Sequence, residues 1–331
     1  MNDSKNVFTD GWIPESDERS DFATWCSLDD SEYDEHRQRE TTEQPMVVSW
    51  KQLQPRVAEQ KKVRDALRAQ GANFYPWKIA EFFGLEWLDF NQGNRGSCAG
   101  CATNNAVNAI LLTHMADGYR FKYKRFNPFP TWDLGKRDAN YRGEGASLSM
   151  MLTCANRRGM FDVEKAGTYE QSLRTPPAYT QSLLDDAMKC QIAACYLGDY
   201  QGEKLARIIF DCAAASYPIV FGNSTAVAQD VRYAGKIKTA VNRGSWMHAT
   251  ARVAYRKKPD GSEYIAHQGS WGKYWEVGKY ESEPASVIWE SFGTFADACS
   301  ARYADAFVVC MVEGEWKPCD DMKIVPVKIP G

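Results

Sequence analysis

A cysteine and a histidine, far apart in the chain, are the residues whose types and settings best suit chemistry. Cys98 precedes a run of small residues, from Ala99 to Ala109, whose composition predicts a helix that begins at the cysteine. His248 follows 150 residues later. A thiol at the positive end of a helix dipole, next to an imidazole, is favoured as a thiolate. The two residues therefore predict a nucleophilic thiolate–imidazolium pair, with the backbone N–H of Cys98 as a donor to an oxyanion.

Three sequence blocks carry a resemblance to a known family: residues 91–98 (Asn-Gln-Gly-Asn-Arg-Gly-Ser-Cys), residues 248–255 (His-Ala-Thr-Ala-Arg-Val-Ala-Tyr) and residues 269–272 (Gly-Ser-Trp-Gly). They resemble the NQGxCGSCWAFS, HAVAAVGY and NSWG motifs of the papain-like cysteine peptidases. The resemblance implies a papain-like two-lobed α+β fold, with a helical first lobe, a β-rich second lobe and the active-site cleft between them. It also implies that the side-chain amide of Gln92 donates to the oxyanion and that Trp271 shields the histidine from water.

The third catalytic position departs from the family motif. The family has an asparagine before Ser-Trp-Gly, where it orients the imidazole, and this chain has Gly269. Gln268 carries a suitable amide and is the candidate third catalytic residue, although strand alternation points it to the opposite face unless a bulge at Gly269 re-aims it. His267 lies on the correct face but would be an unusual partner. Loss of an orienting group lowers the rate of a triad enzyme without necessarily abolishing it.

Two glycines are candidate substrate-binding residues. The stretch from Tyr141 to Gly145, followed by a helical pattern, resembles the glycine segment that hydrogen-bonds the substrate backbone in the family. Gly143 and Gly145 would let a peptide approach closely because they carry no side chain. A simple turn is the alternative interpretation.

The chain is predicted to contain three regions: an acidic arm plus a helix (1–70), a helical lobe with Cys98 (71–215) and a β-rich lobe with His248 (216–331). Residues 1–45 contain 13 acidic and 4 basic side chains, which favours an extended arm. The arm is either a solvated tail or a segment that docks on a protein partner or across the protein's own cleft.

Apolar periodicity predicts the remaining elements. The predicted helices are 55–70, a segment from Ser147 that stops at Gly159, 205–213 and 292–302, and the predicted strands are 218–221, 249–255, 263–268 and 306–312.

Cysteine usage indicates the compartment and argues against a metal site. Most of the ten cysteines are scattered singly, as buried thiols are, and Arg95 stands where secreted members of the family have a half-cystine. Cys98 and Cys101 form a C-x-x-C motif, but no second one exists and no histidine lies at zinc-ligand spacing, so no metal or cofactor is expected. A cytoplasmic or other reducing compartment, or a virion, is expected.

Membrane and nucleic-acid partners are not expected. The sequence has neither a signal-peptide pattern nor an apolar run of the roughly 18–20 residues that span a membrane. Residues 119–126 alternate aromatic and basic side chains, but one such stretch in a chain of net charge −3 favours a solvated strand or loop over a nucleic-acid surface.

The predicted function is that of a cysteine peptidase, which hydrolyses peptide or isopeptide bonds of a polypeptide substrate through a Cys98 acyl-thioester, with His248 as general acid and base. The first alternative is a catalytically weakened or inactive papain-like scaffold with a structural or interaction role, for example in a phage virion. The second alternative keeps the nucleophile and transfers the acyl group to an amine, as transglutaminase-like enzymes do.

Overall fold

The computed structural model describes residues 48–119, 121–227, 232–234, 237–272 and 283–312. The whole acidic arm (residues 1–45) and the last 19 residues lie outside this part of the chain, so the predictions for the arm stay predictions. Within the described residues, no helix combines the length and the apolar character that crossing a bilayer requires.

Helices dominate the chain up to residue 190. They are α1 (Trp50–Arg68), α2 (Pro76–Phe82), α3 (Cys98–Ala116), α4 (Pro128–Asp138), α5 (Leu148–Arg157), α6 (Val163–Ala166), α7 (Tyr169–Arg174) and α8 (Gln181–Ala187), with a 3₁₀ turn at Met188–Cys190. The later helices are α9 (Gly202–Ala214) and α10 (Phe292–Cys299).

The strands form one mixed sheet. They are β1 (Ile192–Tyr196), β2 (Ile219–Val227), β3 (Arg232–Ala234), β4 (Ile237–Thr239), β5 (Asn242–Lys257), β6 (Glu263–Gln268), β7 (Val287–Ser291) and β8 (Ala304–Val312). Their order across the sheet of the described residues is β1-β8-β2-β5-β6-β7-β4-β3. Every neighbouring pair is antiparallel except β4 with β7. The α+β fold class expected from the sequence, helices first and strands later, is confirmed.

The sheet combines strands from both sides of residues 215/216, and the three-region division stays a prediction. Strand β1 lies within residues 71–215 and pairs with β8 near the end of the described chain. Helix α9 lies in the same region, and it packs on β5 and on α1. The apolar run at residues 192–196 is a fully buried strand, and such short runs carry no periodicity that separates strand from helix.

Helix α3 lies at the centre of the described structure. Nearly all of its residues are buried, so every face of the helix is packed against other elements. Small side chains permit this burial: Gly100 lies so close to α4 that an added Cβ would be 3.0 Å from the Cβ of Trp132. The side of α3 that faces the sheet shares a buried cluster with Ala249 and Ala251 of β5. Alanines on both elements bring helix and sheet close together.

Local sequence signals explain where several helices begin and end. Ser147 caps α5 by accepting a hydrogen bond from the N–H of Met150, as its position before the apolar pattern predicts. Helix α1 begins five residues before the predicted Pro55, because Ser49 and Gln52 form a capping box. Residues 119–126 were predicted to be a solvated strand or loop, and residues 121–125 have no regular structure. Gly159 follows α5 with a left-handed φ of 79°.

We expect Gly159→Ala to destabilise the protein much more than Gly261→Ala. Both glycines have left-handed φ values, 79° and 87°, which cost alanine about 1–2 kcal/mol. Only at Gly159 would the added methyl group collide with backbone, the carbonyl of Ala187, whereas nothing lies within 4 Å at Gly261. Urea denaturation should show that Gly159→Ala lowers the free energy of unfolding by at least about 2 kcal/mol more than Gly261→Ala does. Equal losses in the two variants would contradict the packing described here.

Candidate active site

Two segments that are distant in the sequence, one before Cys98 and one after β6, lie side by side. Residues 90–92 run antiparallel to residues 270–272, with a β-bridge between Asn91 and Trp271. The N–H of Gln92 donates to the carbonyl of Ser270 at 2.8 Å, and the N–H of Gly272 donates to the carbonyl of Phe90 at 2.8 Å. This pairing joins the loop that leads into α3 to the segment that follows β6.

The N-terminus of α3 has no side-chain cap from its own sequence. Ser97 is the N-cap residue, but its hydroxyl makes a 2.5 Å hydrogen bond with the hydroxyl of Tyr169 and not with the helix backbone. The first N–H groups of a helix have no intrahelical acceptor. The helix end at Cys98 therefore presents backbone donors and the positive end of the dipole, which suits a developing negative charge.

The side chain of Gln92 is held at both ends of its amide. Its Oε1 accepts a short hydrogen bond from the hydroxyl of Ser270, and its Nε2 donates to the carbonyl of Arg95 at 2.9 Å. An amide nitrogen carries two protons, so one remains for a further acceptor. The contact with Ser270 fixes which way this N–H₂ group points.

His248 lies on β5 within a group of aromatic rings. Its imidazole stacks on the ring of Trp271, with centroids 4.5 Å apart and planes 13° from parallel, and the ring of Trp246 is 4.9 Å away at 50°. The Nε2 atom of His248 is buried and has no hydrogen-bond partner among the described residues. Two tryptophan rings therefore pack against this histidine.

The surroundings of His248 favour the neutral imidazole. Burial lowers the pKa of His248 to about 3, and the positive charges of His267 and Arg252 act in the same direction. The thiolate–imidazolium pair expected from the sequence is therefore disfavoured in this closed arrangement. The sequence pattern does not show this burial, because it depends on the rings of both tryptophans.

Gln268 does not reach His248. It pairs across the sheet with Ala251 of β5. His248 lies three residues before Ala251 on the same strand, so its side chain points to the other face of the sheet. The Nε2 atom of Gln268 donates to the carbonyl of Leu88 at 2.9 Å. The amide of Gln268 thus holds the segment that leads to the Cys98 loop, and no hydrogen bond joins it to the imidazole among the described residues.

A buried charged cluster lies behind the site, and sequence reasoning missed most of it. The guanidinium of Arg252 is 2.9 Å from the carboxylate of Glu290, and the Nδ1 atom of His267 is 3.4 Å from the same carboxylate. Burial raises the pKa of Glu290, but these two neighbours outweigh it and hold the pKa below its ordinary value. A single acidic residue in the apolar strand 287–290 is the signal that could have found it.

The glycine segment lies against the loop that leads to Cys98. A Cβ at Gly96 would be 2.5 Å from the carbonyl oxygen of Glu144 and 3.0 Å from the N of Gly145, so only glycine allows this approach. Gly145 is buried and Gly143 is partly exposed. Gly143 is thus the more accessible of the two candidate substrate contacts.

Both candidate catalytic side chains are buried. The exposed fraction of Cys98 is 0% and that of His248 is 3%. Cys101, one turn along α3, is also buried, and its surroundings include Tyr169 and Ser97. No group of three or more His, Cys, Asp or Glu side chains among the described residues is arranged to hold a metal ion.

Comparison with known proteins finds likeness at the level of structure. No protein-family model and no curated protein matches the chain. Xylellain, a cysteine protease from Xylella fastidiosa, is 17% identical, with a TM-score of 0.49 over 69% of this chain and 84% of that one. Digestive procathepsin L 3 of Tenebrio molitor larval midgut is 15% identical, with a TM-score of 0.47 over 67% of this chain and 66% of that one.

A third similar structure contains the cysteine protease and lectin-like domains of Cwp84, a surface layer associated protein of Clostridium difficile. It is 14% identical, with a TM-score of 0.47 over 71% of this chain and 51% of that one. These neighbours are papain-like cysteine proteases, the family that the sequence motifs resemble. At such identities and TM-scores the likeness says nothing about the activity of this chain.

We expect the free energy of unfolding to fall as the pH is lowered from 7.5 to 5, because His248 binds a proton more readily in the unfolded chain. The pKa of His248 is about 3 in the folded protein, below its ordinary value of 6.5, so the unfolded chain binds the extra proton first. Stability is therefore complete above pH 6.5 and falls by up to about 1.4 kcal/mol per pH unit below it. His114, with a pKa lowered to about 4 by burial, adds a similar loss.

Urea denaturation at several pH values checks this expectation. The free energy of unfolding of the variant His248→Gln should fall by about 1.6 kcal/mol less than that of the wild type between pH 6.5 and 5, since one titrating group is gone. His114→Gln provides the matched comparison, because it removes a buried histidine away from the site. Identical pH dependence in His248→Gln and the wild type would contradict the buried, neutral imidazole.

Proposed function

We propose that the protein is a cysteine peptidase, which cleaves peptide or isopeptide bonds of a polypeptide through an acyl-thioester on Cys98. The pairing of residues 90–92 with residues 270–272 is the observation that carries this proposal. It joins the Gln92 amide and the loop that leads to Cys98 to the Trp271 ring on which His248 stacks. This interface supports the proposal that the sulfur of Cys98, the oxyanion donors and the imidazole of His248 act on one substrate carbonyl.

The proposed chemistry follows from these positions. The Cys98 sulfur attacks the substrate carbonyl carbon, and the oxyanion receives hydrogen bonds from the Cys98 backbone N–H and the second proton of the Gln92 amide. His248 takes the thiol proton as the sulfur attacks, and gives it to the leaving amine as the C–N bond breaks. It then takes a proton from the water that attacks the thioester carbonyl, and returns this proton to the sulfur as the C–S bond breaks. Gly143, partly exposed beside the same loop, is proposed to contact the substrate backbone.

Burial is the observation that favours a second candidate, a papain-like scaffold without activity. A carbonyl carbon cannot reach a sulfur that is 0% exposed unless neighbouring groups move. The neutral state of His248 and the glycine at the third catalytic position also favour the scaffold. The peptidase proposal therefore requires that the site open when substrate binds, whereas the scaffold does not.

We expect an epoxide-type thiol inhibitor to alkylate Cys98 selectively near neutral pH. An activated thiolate reacts faster than an ordinary thiol, and general acid–base assistance contributes roughly 10²–10⁴ in rate. Peptide mapping should find the adduct on Cys98, and His248→Ala should slow its formation at least about 10²-fold.

The control is Cys310→Ser, which removes a partly exposed thiol on β8, away from the site, and should leave the labelling unchanged. Cys98→Ser should abolish it. Labelling spread over several cysteines, or a rate on Cys98 that does not depend on His248, would favour the scaffold. If Cys98 does react, product analysis with and without an added amine distinguishes hydrolysis from acyl transfer.

A further inference from the structure

A second thiol lies one turn beyond the proposed nucleophile on the same helix. Cys98 is the first residue of α3 and Cys101 is the fourth, and together they form the one C-x-x-C motif of the sequence. The N–H of Cys101 donates to the carbonyl of Ser97 at 3.0 Å, so this first turn is α-helical. The proposed peptidase mechanism uses Cys98 alone and leaves Cys101 without a role.

The first turn of α3 places the two thiols at a separation that a disulfide can span. Residues three apart in an α-helix have Cα atoms about 5 Å apart, and disulfides join residues whose Cα atoms are about 4.4–6.8 Å apart. Inside a helix, the preceding turn excludes some of the rotamers that would bring two such sulfurs together. Cys98 has no preceding turn, because the helix begins at this residue. Rotation of the two side chains, with little change in the backbone, can therefore bring the sulfurs together.

The two thiols differ in the way that formation of a disulfide in two steps requires. Cys98 lies at the end of the helix that favours negative charge, and the thiolate is the form of cysteine that reacts with oxidants. Burial raises the pKa of Cys101, and hydrogen bonds with the hydroxyls of Tyr169 and Ser97 oppose this shift only in part. An oxidant therefore reacts first at Cys98, and Cys101 keeps a thiol that can attack the oxidised sulfur.

We propose that Cys98 and Cys101 are a redox modification site, at which a hydroperoxide forms a reversible disulfide that inactivates the nucleophile and protects it from irreversible oxidation. The exposed fraction of both side chains is 0%, and a hydroperoxide needs a smaller opening than a polypeptide to reach them. As a means of regulating a peptidase, this inference rests on the proposed function. The disulfide itself can be measured without any activity.

The reaction with hydrogen peroxide proceeds in two steps. The Cys98 thiolate attacks one peroxide oxygen, an S–O bond forms, the O–O bond breaks, and the leaving hydroxide takes up the proton that the Cys98 thiol released. The Cys101 sulfur then attacks the sulfur of this sulfenic acid, the S–S bond forms, the S–O bond breaks, and hydroxide leaves with the Cys101 proton as water. The two thiols lose two electrons, and the peroxide is reduced to two molecules of water. A dithiol reductant reverses the modification by thiol–disulfide exchange.

Mass spectrometry of one tryptic peptide tests the proposal. Trypsin cleaves after Arg95 and Arg120, and the peptide between them, residues 96–120, contains Cys98 and Cys101 and no other cysteine. The reduced, folded full-length protein is exposed to hydrogen peroxide, then unfolded, treated with N-ethylmaleimide and digested. The expected peptide carries no maleimide and is lighter than the reduced peptide by two hydrogen atoms, about 2 Da. Dithiothreitol, added before the maleimide, should restore the doubly labelled form.

Cys101→Ser tests whether the second thiol protects the first. Without a neighbouring thiol, the sulfenic acid on Cys98 should proceed to sulfinic acid, which dithiothreitol does not reduce. After peroxide and then dithiothreitol, maleimide should label Cys98 at least about tenfold less in this variant than in the wild type. Cys101→Ala should give the same result, and it serves if the serine hydroxyl disturbs the buried position.

Cys154→Ser is the matched control. It removes a buried thiol from helix α5, and the charged groups that act on the pKa of Cys154 include no other thiol, whereas those that act on Cys101 include Cys98. This variant should form and lose the disulfide as the wild type does.

Two labelled cysteines in the peptide after peroxide treatment would overturn the proposal, and so would full recovery of Cys98 in Cys101→Ser. The outcomes for the disulfide and for the peptidase are separate. If the disulfide forms but the reduced protein neither cleaves peptides nor reacts selectively with the epoxide, the proposed function fails and the disulfide stands. If the reduced protein is an active peptidase and both cysteines stay labelled, the inference fails and the proposed function stands.

Discussion

The antiparallel contact between residues 90–92 and residues 270–272 is the constraint on which the site depends. Nothing else among the described hydrogen bonds ties the loop before α3 so directly to the segment that carries Trp271. The contact includes both backbone and side chains, since the hydroxyl of Ser270 also fixes the amide of Gln92. Residues that are remote in sequence acquire a fixed geometry because this short pairing sets the register between helix and sheet.

Close packing explains why such a contact can be precise. Helix α3 is buried on all faces, and alanines and a glycine let it approach β5 and α4 closely. Closely packed interiors transmit small displacements, so the helix end at Cys98 cannot shift independently of the sheet. The same packing leaves Cys98 and His248 without exposure, and access to the site therefore requires movement of the groups that cover it.

The sequence predicted the framework of the fold better than the details of the site. Helices with clear apolar periodicity and caps, such as α5 after Ser147, were confirmed, and so were strands β5 and β6. Strand β1 was missed because a short, fully buried run carries no alternation. The cluster of Arg252, Glu290 and His267 was missed because it depends on the pairing register of β5, β6 and β7, which the apolar pattern does not give.

The glycine at position 269, which leaves the histidine without an orienting amide, has a chemical consequence. A side-chain amide supplies an acceptor for a ring N–H, and this acceptor stabilises the imidazolium more than the neutral ring. An aromatic face supplies orientation but no such acceptor, and it excludes water from Nε2. A buried donor without a partner costs about 1–3 kcal/mol, and a buried cation costs more. His248 is thus well placed but hard to protonate while the site is closed. Formation of the imidazolium must therefore be coupled to the same opening that lets a substrate carbonyl reach Cys98.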